Sequence, residues 1–542
     1  MKTTRAVLLL FAFLVPFAAF AEDDAAALSQ QALQAYAKRQ FAESADLFAR
    51  AIAAGANDIG TLYNAACSNA LAGRTDAAFD LLHRAIAAGY SEASHIISDH
   101  DLDSLHASPK WPLMLAEVEA VQAKRDRVWN SPAFRTPYAP QLSEDERVAG
   151  LSRLWAEAKF NFAYFDHIPD VDWDALYVSY LPRVRAVAST TEYYKVLLQF
   201  YAQLKDGHTG VTPPVEVRRQ LFGEPALRVA DIEGHYVVSA VYDPALGITK
   251  GTELVAIDGI PARQYAAERI APWQTASTPQ DLAARTVGAL LYGAESSNVE
   301  LTLLDAQGNR ITKNVRRLTR EEEQAVTPAV EPFEYRLLPG NIAYVALNEF
   351  GDDKAADAYI AHFDEIAKSD GLIFDVRRNG GGNSSVGYRV LSTLTSKPFL
   401  TSKWSTRDYK PTFRAWGRGE EVYAEPAGQV PPDGTRLYTK PVVVLTGART
   451  YSAAEDFGVA FDAMKRGRIV GEPTGGSTGQ PLPFRLPGGG SARVCTKRDT
   501  YPDGKAFVGV GIQPQLLVSP KLADFRAGKD TVLDAAVALL RK

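Results

Sequence analysis

The chain has 542 residues, 46% of them hydrophobic and 23% charged, with a formal net charge of −5. That length holds three or four domains at roughly 150 residues each, and the composition is that of an ordinary globular protein. The acidic balance excludes the basic footprint of a nucleic-acid binder, and no run of like charge forms a membrane-surface patch.

The first 21 residues read as a secretory signal peptide. "MKTTR" is a short positive region, "AVLLLFAFLVPFAAF" is apolar, and Ala19-Phe20-Ala21 fits a small-x-small cleavage site. No later segment has 18 uninterrupted apolar residues, so the expectation is an exported chain, periplasmic or secreted, with no stable membrane anchor. Two cysteines, Cys67 and Cys495, fall in different predicted domains. A disulfide between them is open in an oxidising compartment, but they are too few for a cysteine metal site. "HIISDHD" (95–101) lacks metal-ligand spacing.

"RAIAAG" occurs at 50–55 and again at 84–89, an offset of 34. "AYAKRQFAESADLFARAIAAG" and "NALAGRTDAAFDLLHRAIAAG" agree in kind. This period resembles tetratricopeptide repeats, and helical repeats are predicted over 22–128. They are either a structural cap or a docking surface for a protein partner. "NSPAFRTPYAP" is a Pro-rich linker. Apolar spacing in "ERVAGLSRLWAEAKFNFAYF" and "TEYYKVLLQFYAQL" predicts a helical domain over 140–212.

Residues 213–322 turn to strands. "HYVVSAVY" alternates, and "GITKGTELVAIDGIPA" orders a turn, a strand and an Asp-Gly turn in a way that resembles a PDZ domain. Over 330–540 strands alternate with helices: "GNIAYVALNEF", "GLIFDV", "PVVVLTG" and "GRIVGEP" read as strands between amphipathic segments. That alternation predicts an α/β core with parallel strands, whose sites form at the strands' carboxyl ends.

Three features lie at such ends. Ser452 follows "PVVVLTG" and precedes a helix. It reads either as an N-cap, with Glu455 three residues on completing a capping box, or as a nucleophile exposed by a strand-to-helix turn. At the helix start the N–H of Ala453 faces any oxyanion formed there. "NGGGNSS" (379–385) has more glycine than a plain turn needs and reads as a backbone donor loop. Of eight histidines, only His208 stands in a Gly-flanked polar turn, "DGHTG", where it reads as structural or as a base.

In order, "LKDGHTGV", the PDZ-like segment, "FDVRRNGGGNSS", "VVVLTGARTYSAAEDF", "IVGEPTGGSTG" and "GVGIQPQ" resemble the carboxy-terminal-processing (tail-specific) protease family, closest to its tricorn-core branch. The resemblance covers roughly 142–530. It implies a multidomain α+β protein whose core is α/β and ClpP/crotonase-like, with serine endopeptidase activity on protein or peptide substrates and no cofactor or metal. Ser452 matches the nucleophile and His208 the tricorn-branch base. Gly380, Gly381 and Ala453 match the oxyanion loop and helix start. The alternative is a non-catalytic binding module on the same fold.

Four departures stand out. The processing-protease branch has a lysine about 25 residues after its serine, and "GEPTGGSTG" has none. The tricorn branch has a serine just before its histidine, where this chain has Gly207. Its orienting glutamate aligns with Val508, leaving Asp503 as the nearest acid. Its Asp after the late proline is Gln515.

Overall fold

The computed structural model describes residues 18–305 and 307–541. Most of the predicted signal peptide lies outside the described residues. The first described helix, Ala18–Ala37, runs across the predicted cleavage site. Among the described residues no helix is long and apolar enough to cross a membrane. The chain forms two compact units, one up to Pro132 and one from Ala133.

The first unit is helical, with helices Ala18–Ala37, Phe41–Ala53, Ile59–Leu71, Thr75–Ala87, Ala93–Ser98 and Trp111–Trp129. The two sequence copies fold alike. Ser44, Ala45, Phe48 and Ala51 are buried in one, and Ala78, Phe79, Leu82 and Ala85 at the same positions in the other. Both helices stop at a glycine, Gly55 or Gly89, with φ of 113° or 110°. The next N–H then bonds back, Ala56 to Ala51 O at 3.0 Å and Tyr90 to Ala85 O at 2.9 Å. This left-handed stop is open to glycine at little cost.

The second unit is built on a six-stranded sheet. Its spatial order is Leu516–Leu517, Arg468–Gly471, Val442–Thr446, Gly371–Asp375, Ile342–Leu347 and Phe333–Leu338. Every pairing is parallel except the last. The three middle strands are buried at every residue, as a parallel sheet covered on both faces requires. Val345, Phe374 and Val444 pack with Phe457 on one face, while Tyr344, Ile373 and Val443 pack with Val532 and Ala536 of helix Thr531–Leu540 on the other.

Helices Glu144–Asn161, Trp173–Ala186 and Thr190–Ala202 share the first of those cores. Ser143 and Glu146 form a reciprocal capping box at their start. Residues 227–316 form a separate antiparallel sheet, ordered Leu227–Ile232, His235–Val241, Glu253–Ile257, Asn298–Leu304, Arg310–Arg316, with its own apolar core. Helix Pro279–Gly288 lies between its strands in sequence and reaches the active-site loops. Strands Lys403–Asp408, Glu421–Glu425 and Arg498–Thr500 form a small sheet that the sequence pattern did not reveal.

Candidate active site

The site gathers at the carboxyl ends of three adjacent core strands. Gly371–Asp375 leads to the loop 379–382, Val442–Thr446 to Ser452, and Arg468–Gly471 to the loop 474–477. Ser452 stands at the N-cap position of helix Ala453–Ala463, but its side chain caps nothing. Its backbone is at φ 56°, ψ −125°, a region other residues avoid. The expected capping box is therefore absent. The Glu455 N–H donates to the Ser452 carbonyl at 2.7 Å, and the Glu455 side chain turns away to the loop 474–477. Released from capping, the Ser452 hydroxyl meets His208 Nε2 at 3.0 Å.

His208 arrives from between helix Thr190–Ala202 and strand Gly210–Thr212. Its turn is pinned by Asp206, which accepts from Thr209 Oγ1 at 2.6 Å and Ser277 Oγ at 3.3 Å. Gly207 N in turn donates to Ser277 Oγ, and Cys495 N to Thr209 Oγ1, each at 3.0 Å. The imidazole is 5% exposed. Burial, then the positive charges of Arg493, Arg285 and Lys497, hold its pKa down at about 3, so it is neutral and ready to accept a proton. Tyr451 stacks on the ring, centroids 5.2 Å apart and planes 12° apart.

The other ring nitrogen, Nδ1, lies 2.8 Å from Ser477 Oγ. Ser477 was not foreseen. It sits 25 residues after Ser452, the spacing at which the processing-protease branch carries lysine. Glu455 holds its loop in place. One carboxylate oxygen accepts from Thr474 Oγ1 at 2.5 Å and Gly476 N at 2.8 Å, and the other from Ser477 N at 2.8 Å. Burial pushes the Glu455 carboxyl up to about 8 despite those bonds. Asp503 is exposed and accepts from Lys505 N, so the structure does not bring it to His208. Val508 is buried among apolar groups, and Gln515 bonds Ile469 N and Asp462.

The glycine loop closes the other side. Asn379 Nδ2 donates to Leu347 O at 3.0 Å, and Gly381 N donates to Asn379 Oδ1 at 2.9 Å. That bond takes Gly381 out of the expected donor set. Gly381, at φ 100°, instead allows close approach, because a Cβ there would lie 2.5 Å from Ser452 Cβ. Among the described residues the N–H groups of Gly380 and Ala453 have no acceptor, and space beside Gly380 is open.

The two cysteines are free and buried, one in each unit. Cys67 does approach Asp99 and Asp101, with candidate ligand atoms within 4.8 Å of one another. The Tyr36 and Tyr63 hydroxyls already donate to those carboxylates.

Comparison with known proteins gives this arrangement its class. The solved structure of mature CPAF shares the fold, with a TM-score of 0.59 at 15% identity over 71% of this chain and 94% of that one. Residues 341–518 match the model of peptidase family S41, and residues 144–202 that of the tricorn protease C1 domain. The chain thus carries a family S41 peptidase domain preceded by a tricorn-type C1 domain. It is 27% identical over 246 residues to the chloroplastic C-terminal processing peptidase of Tetradesmus obliquus, covering 44% of this chain and 49% of that protein. It is 25% identical over 381 residues to tricorn protease homolog 1 of Streptomyces coelicolor, covering 68% of this chain and 33% of that protein. The chain spans half or less of the length of these relatives.

Proposed function

We propose that the protein is a serine endopeptidase acting on protein or peptide substrates, near their C-termini as the names of its relatives suggest. The observation that carries this reading is the 3.0 Å approach of Ser452 Oγ to His208 Nε2, beside backbone N–H groups without acceptors. Ser452 Oγ attacks the peptide carbonyl carbon while His208 Nε2 takes its proton. The Gly380 and Ala453 N–H groups receive the oxyanion, one such donor lowering the barrier by roughly 3 kcal/mol. Collapse breaks the C–N bond, and His208 returns the proton to the leaving amine. Water then releases the acyl group by the same steps in reverse.

The other modules fit this role as accessories. The segment 213–322 acts as a PDZ-like presenter of the substrate, the helical segment 140–212 carries His208 into the cleft, and the repeats over 22–128 offer a tetratricopeptide-like surface to a protein partner. Cleavage after residue 21 delivers the mature chain to the periplasm or the exterior.

The test is labelling of the purified mature protein with a fluorophosphonate, alongside Ser452→Ala and His208→Ala. The expected result is labelling of the wild type alone, with peptide hydrolysis following the same pattern. Folded wild-type protein that neither labels nor cleaves peptides would replace this reading with the binding-module alternative.

A further inference from the structure

Three stretches far apart in sequence have to meet for the site to exist: the His208 turn at 206–209, the residues leading into Ser452, and the loop 474–477. Residues 277–281 bond to all three. Ser277 Oγ accepts from Gly207 N at 3.0 Å and donates to Asp206 Oδ1 at 3.3 Å. Thr278 Oγ1 donates to Gly475 O at 2.9 Å. Gln280 Nε2 donates to Thr474 O and to Val510 O, each at 3.0 Å. Asp281 Oδ2 accepts from the Tyr451 hydroxyl at 3.2 Å. All of these residues belong to the segment 213–322, whose proposed task is to present substrate.

We propose that Ser277, Thr278 and Gln280 are positioning residues of the peptidase, a clamp that sets the His208 turn against the Ser477 loop. This inference rests on the reading of Ser452 and His208 as nucleophile and base. His208 Nδ1 meets Ser477 Oγ at 2.8 Å, across 269 residues of sequence. Ser277 grips the turn that carries the histidine. Thr278, the next residue, grips the loop that carries the serine. Consecutive Cα atoms stand about 3.8 Å apart across a trans peptide, whatever the rest of the chain does. Covalent geometry therefore limits how far the two grips can move apart.

The backbone at the grips is stiff as well. Thr278 is the N-cap of helix Pro279–Gly288, at φ −141° and ψ 161°, and its Oγ1 also accepts from Asp281 N at 3.1 Å. Pro279 follows at the first helical position, where its ring fixes its own φ and confines Thr278 to extended backbone. The fit against the loop is close. Gly476 has φ 69°, and a Cβ there would lie 2.5 Å from Thr278 Cγ2. Thr278 is buried, and so are Thr474, Gly475 and Gly476, so water does not compete for the Thr278 bond.

The loop 474–477 is thus held from two sides. Glu455, on the helix that Ser452 begins, binds Gly476 N and Ser477 N. Thr278 and Gln280 bind the carbonyls of the two residues before Gly476. The first hold relates the loop to the nucleophile, and the second relates it to the histidine through Ser277. The three residues bond backbone groups and Asp206, and their effect on the chemistry runs through His208 and Ser477. On this reading the segment 213–322 is part of the active site as well as a presenter.

Ser277→Ala and Gln280→Met each remove one grip and leave the Thr278 cap intact. Thr278→Val removes its grip and the cap together, and Thr278→Ser restores both. Fluorophosphonate labelling and hydrolysis of a fluorescent casein are measured per folded molecule. The labelling rate and kcat are expected to fall about 10-fold in Ser277→Ala and in Gln280→Met, and about 100-fold in the double variant, with KM within about twofold of wild type. Thr278→Val is expected to slow likewise, and Thr278→Ser to keep the wild-type rate. A further readout needs no activity. In protein labelled with ¹⁵N-histidine, the ring signal that His208→Ala lacks is expected to shift in Ser277→Ala and Gln280→Met. Folded variants that leave that signal in place and label within about threefold of wild type overturn the proposal. So does a loss confined to KM, which would make the segment a presenter of substrate alone. A wild type that never labels, but whose His208 signal shifts in the variants, would keep the clamp and remove the peptidase reading instead.

Discussion

Gly207 and Tyr451 occupy one shared volume: a Cβ built on Gly207 would lie 1.5 Å from the Tyr451 hydroxyl oxygen and 2.8 Å from the ring carbon that bears it. Gly475 presses on the same ring from another side, where a Cβ would fall 2.4 Å from Cδ2. The missing side chain at 207 is therefore the space that the Tyr451 hydroxyl fills where it donates to Asp281. Where the tricorn branch is expected to have a serine before its histidine, this chain has Gly207, and the Tyr451 hydroxyl fills the space a side chain there would take.

Gly207→Ser tests whether the site needs Tyr451 in that space. The added side chain has to displace Tyr451, and the expected outcome is a loss of labelling of about 100-fold or more with the fold retained by circular dichroism. Undiminished labelling of Gly207→Ser would show that Tyr451 is dispensable.

The second prediction concerns pH. An ordinary histidine titrates near 6.5, whereas His208 is held at about 3 by burial and by Arg493, Arg285 and Lys497. A general base acts when unprotonated, so the labelling rate should persist well below pH 6.5 and fall only as His208 takes a proton. The same shift has a stability consequence of definite sign. Between about pH 3 and 6.5 the unfolded chain binds a proton at this position that the folded chain refuses, so stability declines as pH is lowered through that window. A rate profile with its acid midpoint between 6 and 7 would contradict the depressed value.

Glu455→Gln is the third. Above pH 8, where the carboxyl is ionised, the amide keeps the shape but replaces one acceptor oxygen by a donor that faces a backbone N–H, so the loop 474–477 loses its anchor. The expected cost is about 1–3 kcal/mol in urea denaturation, the range for a buried polar group left unsatisfied. Labelling should drop with it, because Ser477 moves away from His208.

The fourth isolates the strain at residue 452. Ser452→Ala and Ser452→Gly both lack the hydroxyl, but only glycine is at ease at φ 56°, ψ −125°. Ser452→Gly should be about 1 kcal/mol more stable than Ser452→Ala. Equal urea midpoints for the two variants would mean that the turn stores no strain.

The core sheet was legible because its strands are unbroken apolar runs, such as "PVVVLTG", and parallel strands buried on both faces have that composition. Ser452, His208 and the glycine loop were legible because each is a polar or glycine-rich interruption at the end of a strand or helix. Glu455 was visible but misread: three residues after a serine at a helix start it imitates a capping box, and only the positive φ of Ser452 turns the two side chains apart. Ser477, Tyr451 and Asp281 carried no signal, because a hydroxyl in a loop and an acid in the first turn of a helix are ordinary there. The sheet at 403–425 was missed because its outer strand, Glu421–Glu425, is almost wholly exposed and so has no apolar alternation to show.

The Ser452–His208 bond joins residues 244 apart in sequence, and the Ser477–His208 bond joins residues 269 apart. A ribosome delivers His208 first, and at roughly 5–20 residues per second the residues that complete the site follow after about 10 to 50 seconds. Until then the histidine has neither of its two serine partners, and the entropy of closing so long a loop is met only by the finished core. A nascent chain that ends before residue 477 therefore has none of these contacts: the order of synthesis sets the earliest moment at which the site can assemble.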